Sequence, residues 1–220
     1  AVKTDLGVIQ GRRYTTDLAT DADGTLYGVG WSNAAASGTA HLFTVTPDAD
    51  GNRATWSMET VGSNRMARTV NSAVFDDNGA LYVASAHGVL QKLELDGCGG
   101  QWDVVASAGM GSNAGGDLAF SADGADLYVA LAGGRLGTVN FDTGSGHFGQ
   151  VNVLGDTGYD NLFGLAVVDG TLYGTTAGRG NYDRSYLIEI DPDPLSTYAM
   201  ADLGTGVWGA AAGSAGQPVP

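Results

Sequence analysis

An all-β fold assembled from four-stranded antiparallel repeats is predicted by three features of this 220-residue sequence. First, the pair Leu-Tyr returns four times in one local context: DLATDADGTLYGVG from Asp17, SAVFDDNGALYVAS from Ser72, DLAFSADGADLYVAL from Asp117 and GLAVVDGTLYGTT from Gly164. The leucines are Leu26, Leu81, Leu127 and Leu172, spaced 55, 46 and 45 residues apart. Periods in this range mark stacked or radial repeats. Second, apolar and polar residues alternate with strand periodicity, as in Leu42-x-Thr44 and Leu187-x-Glu189, and no amphipathic helix is apparent. Third, 36 glycines stand against five prolines in a chain that is 43% hydrophobic. That composition suits many tight turns around a packed core rather than disorder.

Each unit has one order of elements. An apolar segment ending near Gly comes first (strand D): KTDLG, ATWSMETVG, QWDVVASAG, QVNVLG and TYAMADLG. A small-residue strand A follows (DLAT, NSAVF, DLAF, GLAV and VWGAAAG), then a tight turn and the Leu-Tyr strand B. The turns DADG, DDNG, SADG and VVDG supply Asp and Asn, which bond their own backbone, and Gly, which tolerates positive φ. Strand C closes the unit: HLFTVTP, VLQKLEL, RLGTVNF and YLIEIDP. A blade is then A-B-C plus the following D. Ala19, Ala73, Ala119 and Ala166 fall on strand A, where blades crowd an axis. Small inner strands, the period and the absent helices together predict a β-propeller.

The count is uneven, with four complete A-B-C sets but five D and five A segments. The expectation is about five blade positions, with repeats at 1–52, 53–100, 101–146, 147–195 and a partial one at 196–213. Residues 214–220 read as a linker-like tail. In a closed ring the first D segment, Lys3–Gly7, would join the last blade; a longer array of which these units are part, or a second chain supplying strands, are the alternatives.

The third unit, Gly116 to Gly146, resembles the YVTN-type propeller repeats of bacterial and archaeal surface-layer and other secreted proteins. The matching positions are Ala119, Ser121, Asp123, Gly124, Leu127, Tyr128, Val129, Ala130, Val139, Asp142 and Gly144. The other units keep only the strand A, Gly-Leu-Tyr and strand C elements. The resemblance implies an extracellular or cell-surface setting and mostly non-catalytic modules.

Charge bears on partners. The formal net charge is −14, which opposes binding to nucleic acid or anionic membranes. No run of 18 apolar residues is present, so membrane insertion by a helix is not expected. Cys98 is alone and cannot form an intrachain disulfide.

The cations and acids separate by loop type. Arg12, Arg13, Arg65 and Arg68 lie in D–A loops, and Arg135, Arg179 and Arg184 lie in or beside B–C loops. In a propeller these loops share a rim, which then holds seven of the ten basic residues. Thirteen of the 24 acids fall in the A–B and C–D turns of the opposite rim. Arginine suits bidentate recognition of carboxylate, phosphate or sulfate. Tyr14, Trp31, Tyr159, Tyr182 and Trp208 lie in or beside D–A and B–C loops of the same rim. The functional expectation is a ligand-binding or adhesion module, taking a polar or anionic peptide, glycan or partner protein on this rim. The competing account is that Asp simply populates turns and Arg balances it. A structural spacer, or an enzyme of lyase or lactonase type at the central pocket, are the alternatives from other classes.

No cofactor is expected, with calcium the one candidate. Asp21-x-Asp23-Gly24 and Asp48-x-Asp50-Gly51 resemble part of a calcium loop. The glycine, however, comes at the fourth position rather than the sixth, and a hairpin turn accounts for the same residues. His41, His87 and His147 fall in or near loops of three different units, and no G-x-S-x-G occurs.

Overall fold

A computed structural model describes residues 8–9, 14–31, 40–47, 55–60, 66–95, 101–178, 181–204, 207 and 209. Four antiparallel sheets account for all but one of its strands. Blade 1 is β2 (Tyr14–Thr20), β3 (Leu26–Trp31), β4 (His41–Pro47) and β5 (Thr55–Thr60), and β1 (Val8–Ile9) adds to its outer edge. Blade 2 is β6 (Val70–Phe75), β7 (Leu81–Ser85), β8 (Val89–Leu95) and β9 (Trp102–Gly109). Blade 3 is β10 (Ala114–Phe120), β11 (Leu127–Leu131), β12 (Arg135–Val139) and β13 (Val151–Asp156). Blade 4 is β14 (Asn161–Val168), β15 (Thr171–Gly178), β16 (Asn181–Pro192) and β17 (Leu195–Asp202). The first strands pack side by side in the order β2, β6, β10, β14, so they are the inner strands of a propeller arrangement.

The structure therefore has four blades, not about five. A fifth blade needs its own B and C strands, and the sequence holds only four such sets. The leftover segment 3–7 lies outside the described residues. The short strand after it, β1, pairs in parallel with β5 of the first blade rather than with the last. Of the leftover inner segment, Val207 and Gly209 are described, and neither is in a strand. The Val207 amide donates to Ser185 Oγ at 2.7 Å. A Cβ on Gly209 would sit 3.9 Å from Asp17 Oδ1. The chain leaving blade 4 thus returns to the inner strand of blade 1.

The Leu-Tyr repeat works because successive side chains on a strand face opposite ways. Leu81, Leu127 and Leu172 face the preceding blade and are at most 3% exposed. The tyrosines face the following blade. Tyr27 packs on Phe75 with ring centroids 5.2 Å apart, and Tyr82 meets Phe120 edge-on at 5.5 Å. Tyr128 packs in the same layer as Val167. Tyr27, Tyr82 and Tyr128 thus each meet the end of the next inner strand. Among the described residues the core is accordingly three layers between blades. Each fully buried leucine contributes about 2 kcal/mol. Trp102, on the outer strand of blade 2, is buried in the layer facing blade 1.

Every inner strand carries an irregularity at the corresponding place: between Thr15 and Asp17, Val70 and Ser72, Ala114 and Leu118, and Leu162 and Gly164. Such bulges bend a strand and re-aim its side chains. They also set the equivalences between blades. Ala19, Ala119 and Ala166 pair with the tyrosines of their hairpins, but in blade 2 the residue paired with Tyr82 is Val74. Ala73 is one place earlier than the sequence alignment had it, level with Leu18, Leu118 and Leu165.

At the bulges side chains reach the next blade. Thr16 Oγ1 donates to the Val70 carbonyl at 2.8 Å, and Asn71 Nδ2 donates to the Ala114 carbonyl at 3.2 Å. In blade 3 the place belongs to Gly116, where a Cβ would fall on the backbone of Leu162 and Phe163. Gly116→Ala is expected to lower unfolding free energy by about 3 kcal/mol through overpacking. Gly109→Ala, where a Cβ meets nothing, should change it by less than about 0.5 kcal/mol. Urea unfolding of the two variants checks this.

Candidate functional site: an axial carboxylate pair and two unlike rims

An innermost strand has one edge with no neighbouring strand, so its edge amides need other acceptors. Four equivalent amides, those of Leu18, Ala73, Leu118 and Leu165, find them at the axis. Asp17 accepts from the Leu18 amide through Oδ1 at 2.8 Å and from the Ala73 amide through Oδ2 at 2.6 Å. Asp117 accepts from Leu118 through Oδ1 at 2.7 Å and from Leu165 through Oδ2 at 2.9 Å. Each carboxylate thereby joins its own blade to the next. Ser72 does the same for blades 2 and 3, its hydroxyl donating to the Gly116 carbonyl at 2.7 Å.

Asp17 and Asp117 are 7% and 2% exposed and lie on alternate blades, so they meet across the axis. Burial pushes the Asp17 carboxyl well above the usual range, and the charge of Asp117 and a hydrogen bond between the two carboxyls raise it further. The strands β2, β6, β10 and β14 contain no Lys, Arg or His, so no cation on the inner strands neutralises the pair. Burial and the neighbouring carboxyl thus oppose ionisation of Asp17, while the Leu18 and Ala73 amides favour it.

Above the pair, an axial cavity of about 400 Å³ opens on the A–B rim. Its mouth holds Asp21, Asp76 and Asp77, its walls include Leu18, Phe75, Leu118 and Phe120, and Asp117 lies at its inner end.

The acids of this rim build their own turns. Asp21 Oδ1 accepts from the Asp23 and Thr25 amides at 3.0 and 2.8 Å, and Asp76 Oδ1 from Asn78 and Ala80 at 2.9 and 2.8 Å. In blade 3 Ser121 Oγ donates to Asp123 Oδ1 at 2.7 Å, and that bond holds the exposed Asp123 carboxyl below its ordinary range. Of the calcium candidates, Asp21 and Asp23 thus lie in a hairpin turn, and Asp48 and Asp50 lie outside the described residues. Among the described residues no group of three or more His, Cys, Asp or Glu converges to hold a metal.

On the other rim the B–C turns are tied to the D–A loops. The Met110 amide donates to the Gly88 carbonyl at 2.7 Å, and that of Thr157 to the Gly134 carbonyl at 3.0 Å. Gly134 has φ of 69°, and a Cβ there would fall on the Tyr159 carbonyl. The candidate ligand-binding residues are spread around this rim. Arg68 is exposed in the loop before β6. Arg184 is exposed and pairs with Asp202 at 3.7 Å. Arg135 donates from Nε to the Ala132 carbonyl at 3.3 Å, and the Tyr159 ring centroid is 6.1 Å from that of Tyr186. Tyr14, Trp31 and Tyr182 are strand residues, while Arg12, Arg13, Arg65, Arg179 and Trp208 lie outside the described residues. Sequence reasoning missed Thr69, beside Arg68. This β-branched residue has φ of 51°, is 7% exposed, and its hydroxyl has no partner among the described residues.

No family model and no curated protein matches the chain. Solved structures do resemble it. A structural genomics protein of unknown function from Bacteroides thetaiotaomicron aligns with TM-score 0.57 at 13% identity, over 89% of this chain and 53% of the other. A protein from Lactobacillus plantarum aligns with TM-score 0.53 at 15% identity, over 90% and 57%. The Dos1 propeller aligns at TM-score 0.48 and 14% identity, over 90% and 50%. The chain thus spans little more than half the length of the first two. At these identities the likeness is one of fold.

The raised Asp17 carboxyl fixes a pH dependence. A carboxyl raised in the folded state stabilises most below its unfolded pKa, and that stability is lost as pH rises through the folded value. The urea midpoint should therefore fall as pH rises above the ordinary carboxylate range, and Asp17→Asn should flatten that fall. Asp117→Ala leaves the Leu118 and Leu165 amides without acceptors and should cost about 3 kcal/mol in the same assay.

Proposed function

We propose that this chain is a non-catalytic binding module of a secreted or surface-anchored protein, taking an anionic or polar ligand on the rim of the D–A and B–C loops. The observation that carries this reading is the strained segment at Arg68 and Thr69. A β-branched residue with positive φ and an unsatisfied buried hydroxyl costs stability, and such strain collects at functional sites. It lies next to an exposed guanidinium, on the rim where the sequence concentrates arginine. Guanidinium groups match carboxylate and sulfate in geometry. The opposite rim supports the same assignment, because its carboxylates already serve turn amides. The acceptor positions of the axial carboxylates go to backbone amides as well, which favours a scaffold role over acid–base chemistry.

The test is binding to immobilised heparin and alginate oligosaccharides. Arg68→Glu should weaken binding at least tenfold, and its unfolding curve should superimpose on that of the parent. Retained binding in a folded Arg68→Glu protein rejects this rim as the site. A folded parent that binds no acidic glycan or peptide favours a spacer role.

A further inference from the structure

We propose that the axial cavity on the A–B rim is a second binding site, separate from the arginine rim, and that it takes a small organic cation: an ammonium group on an apolar body. Its volume, about 400 Å³, lies in the range of small-ligand sites. Its lining takes Leu18, Phe75, Leu118, Phe120 and Leu165 from all four inner strands, with polar strand backbone between them. An apolar body gains by leaving water there. Inorganic cations gain nothing from such walls.

The charge of the site has one sign at both ends. Asp21, Asp76 and Asp77 stand at the mouth, and Asp117, 2% exposed, forms part of the inner end. Walls of low-dielectric protein between like charges focus their field into the cavity. Two of the mouth carboxylates are positioned by the fold itself, because Asp21 and Asp76 are each held through Oδ1 by two turn amides. The site is therefore formed in the free protein, and binding needs no loop to order.

Asn retains the Oδ1 acceptor of Asp, so Asp21→Asn and Asp76→Asn remove charge while keeping the turns. The experiment is calorimetric titration of the protein with benzylammonium chloride, with benzyl alcohol as the neutral isostere, at constant ionic strength. Saturable one-to-one binding of benzylammonium is expected, at least tenfold tighter than benzyl alcohol. The Asp21→Asn and Asp76→Asn double variant should lose at least tenfold in affinity, while Arg68→Glu should leave it unchanged. No saturable binding overturns the proposal. So does equal affinity for the alcohol, or displacement of benzylammonium by an equal concentration of sodium. Should the double variant fail to fold, the comparison of amine with alcohol on the parent protein decides alone.

Discussion

Two carboxyl groups and four backbone amides at the axis are the constraint on which this propeller rests. An inner strand that has no neighbour on one side leaves its edge amides without strand partners at the axis. Asp17 and Asp117 answer for four of them, two each, and in doing so tie blade 1 to blade 2 and blade 3 to blade 4. The arrangement is self-limiting. Four amides call for negative charge, yet two buried anions cannot stand together without a counter-ion. The conflict shows as a raised Asp17 carboxyl, offset in part by the amides of Leu18 and Ala73.

The rest of the fold radiates from that level. Just outside it, the bulges turn Thr16 and Asn71 onto the neighbouring backbone, and Gly116 admits a backbone that has come too close for any side chain. Further out, Leu and Tyr of the second strand divide the work of packing, one toward each neighbour. The two rims inherit different duties. The A–B turns are short and made rigid by their own aspartates. On the other side the D–A loops and B–C turns are knitted together by backbone hydrogen bonds, and there the strained residue Thr69 stands beside Arg68.

Much of this was legible in the sequence because it is local and periodic. The Leu-Tyr pairs, the Asp-Gly turns and the order of strands within each blade all follow from alternation and turn chemistry, and the structure has them where the sequence puts them. What escaped was set by contacts between units. The inner-strand alanines could not be aligned to better than one residue, since the bulge at Asn71 leaves no mark in composition, and so Ala73 was placed level with residues that answer to Val74. The leftover D and A segments suggested a fifth blade, although strands without B and C partners have no sheet to join. Asp17 and Asp117 were visible as an Asp before Leu-Ala in units one and three. Ser72 and Gly164 break the pattern in units two and four, so nothing along the chain says that the two acids meet. The signal was an ionisable residue inside an otherwise apolar strand, exactly where burial would demand a partner. At the arginine rim Thr69 drew no notice because backbone strain has no sequence signature in a threonine.

The alternation at the hub gives the molecule a heredity of its own. Counting by strands, the repeat is one blade; counting by who supplies the axial acid, it is two. Copying or losing a single unit in the gene would bring two acids onto adjacent blades, or leave two adjacent blades with none, and either product would have to redistribute its inner amides before it could fold. Copying two units together preserves the rhythm. A propeller held in this way should grow or shrink over generations by pairs of blades, and relatives that changed by one would be expected to carry a replaced residue at the axis as the scar.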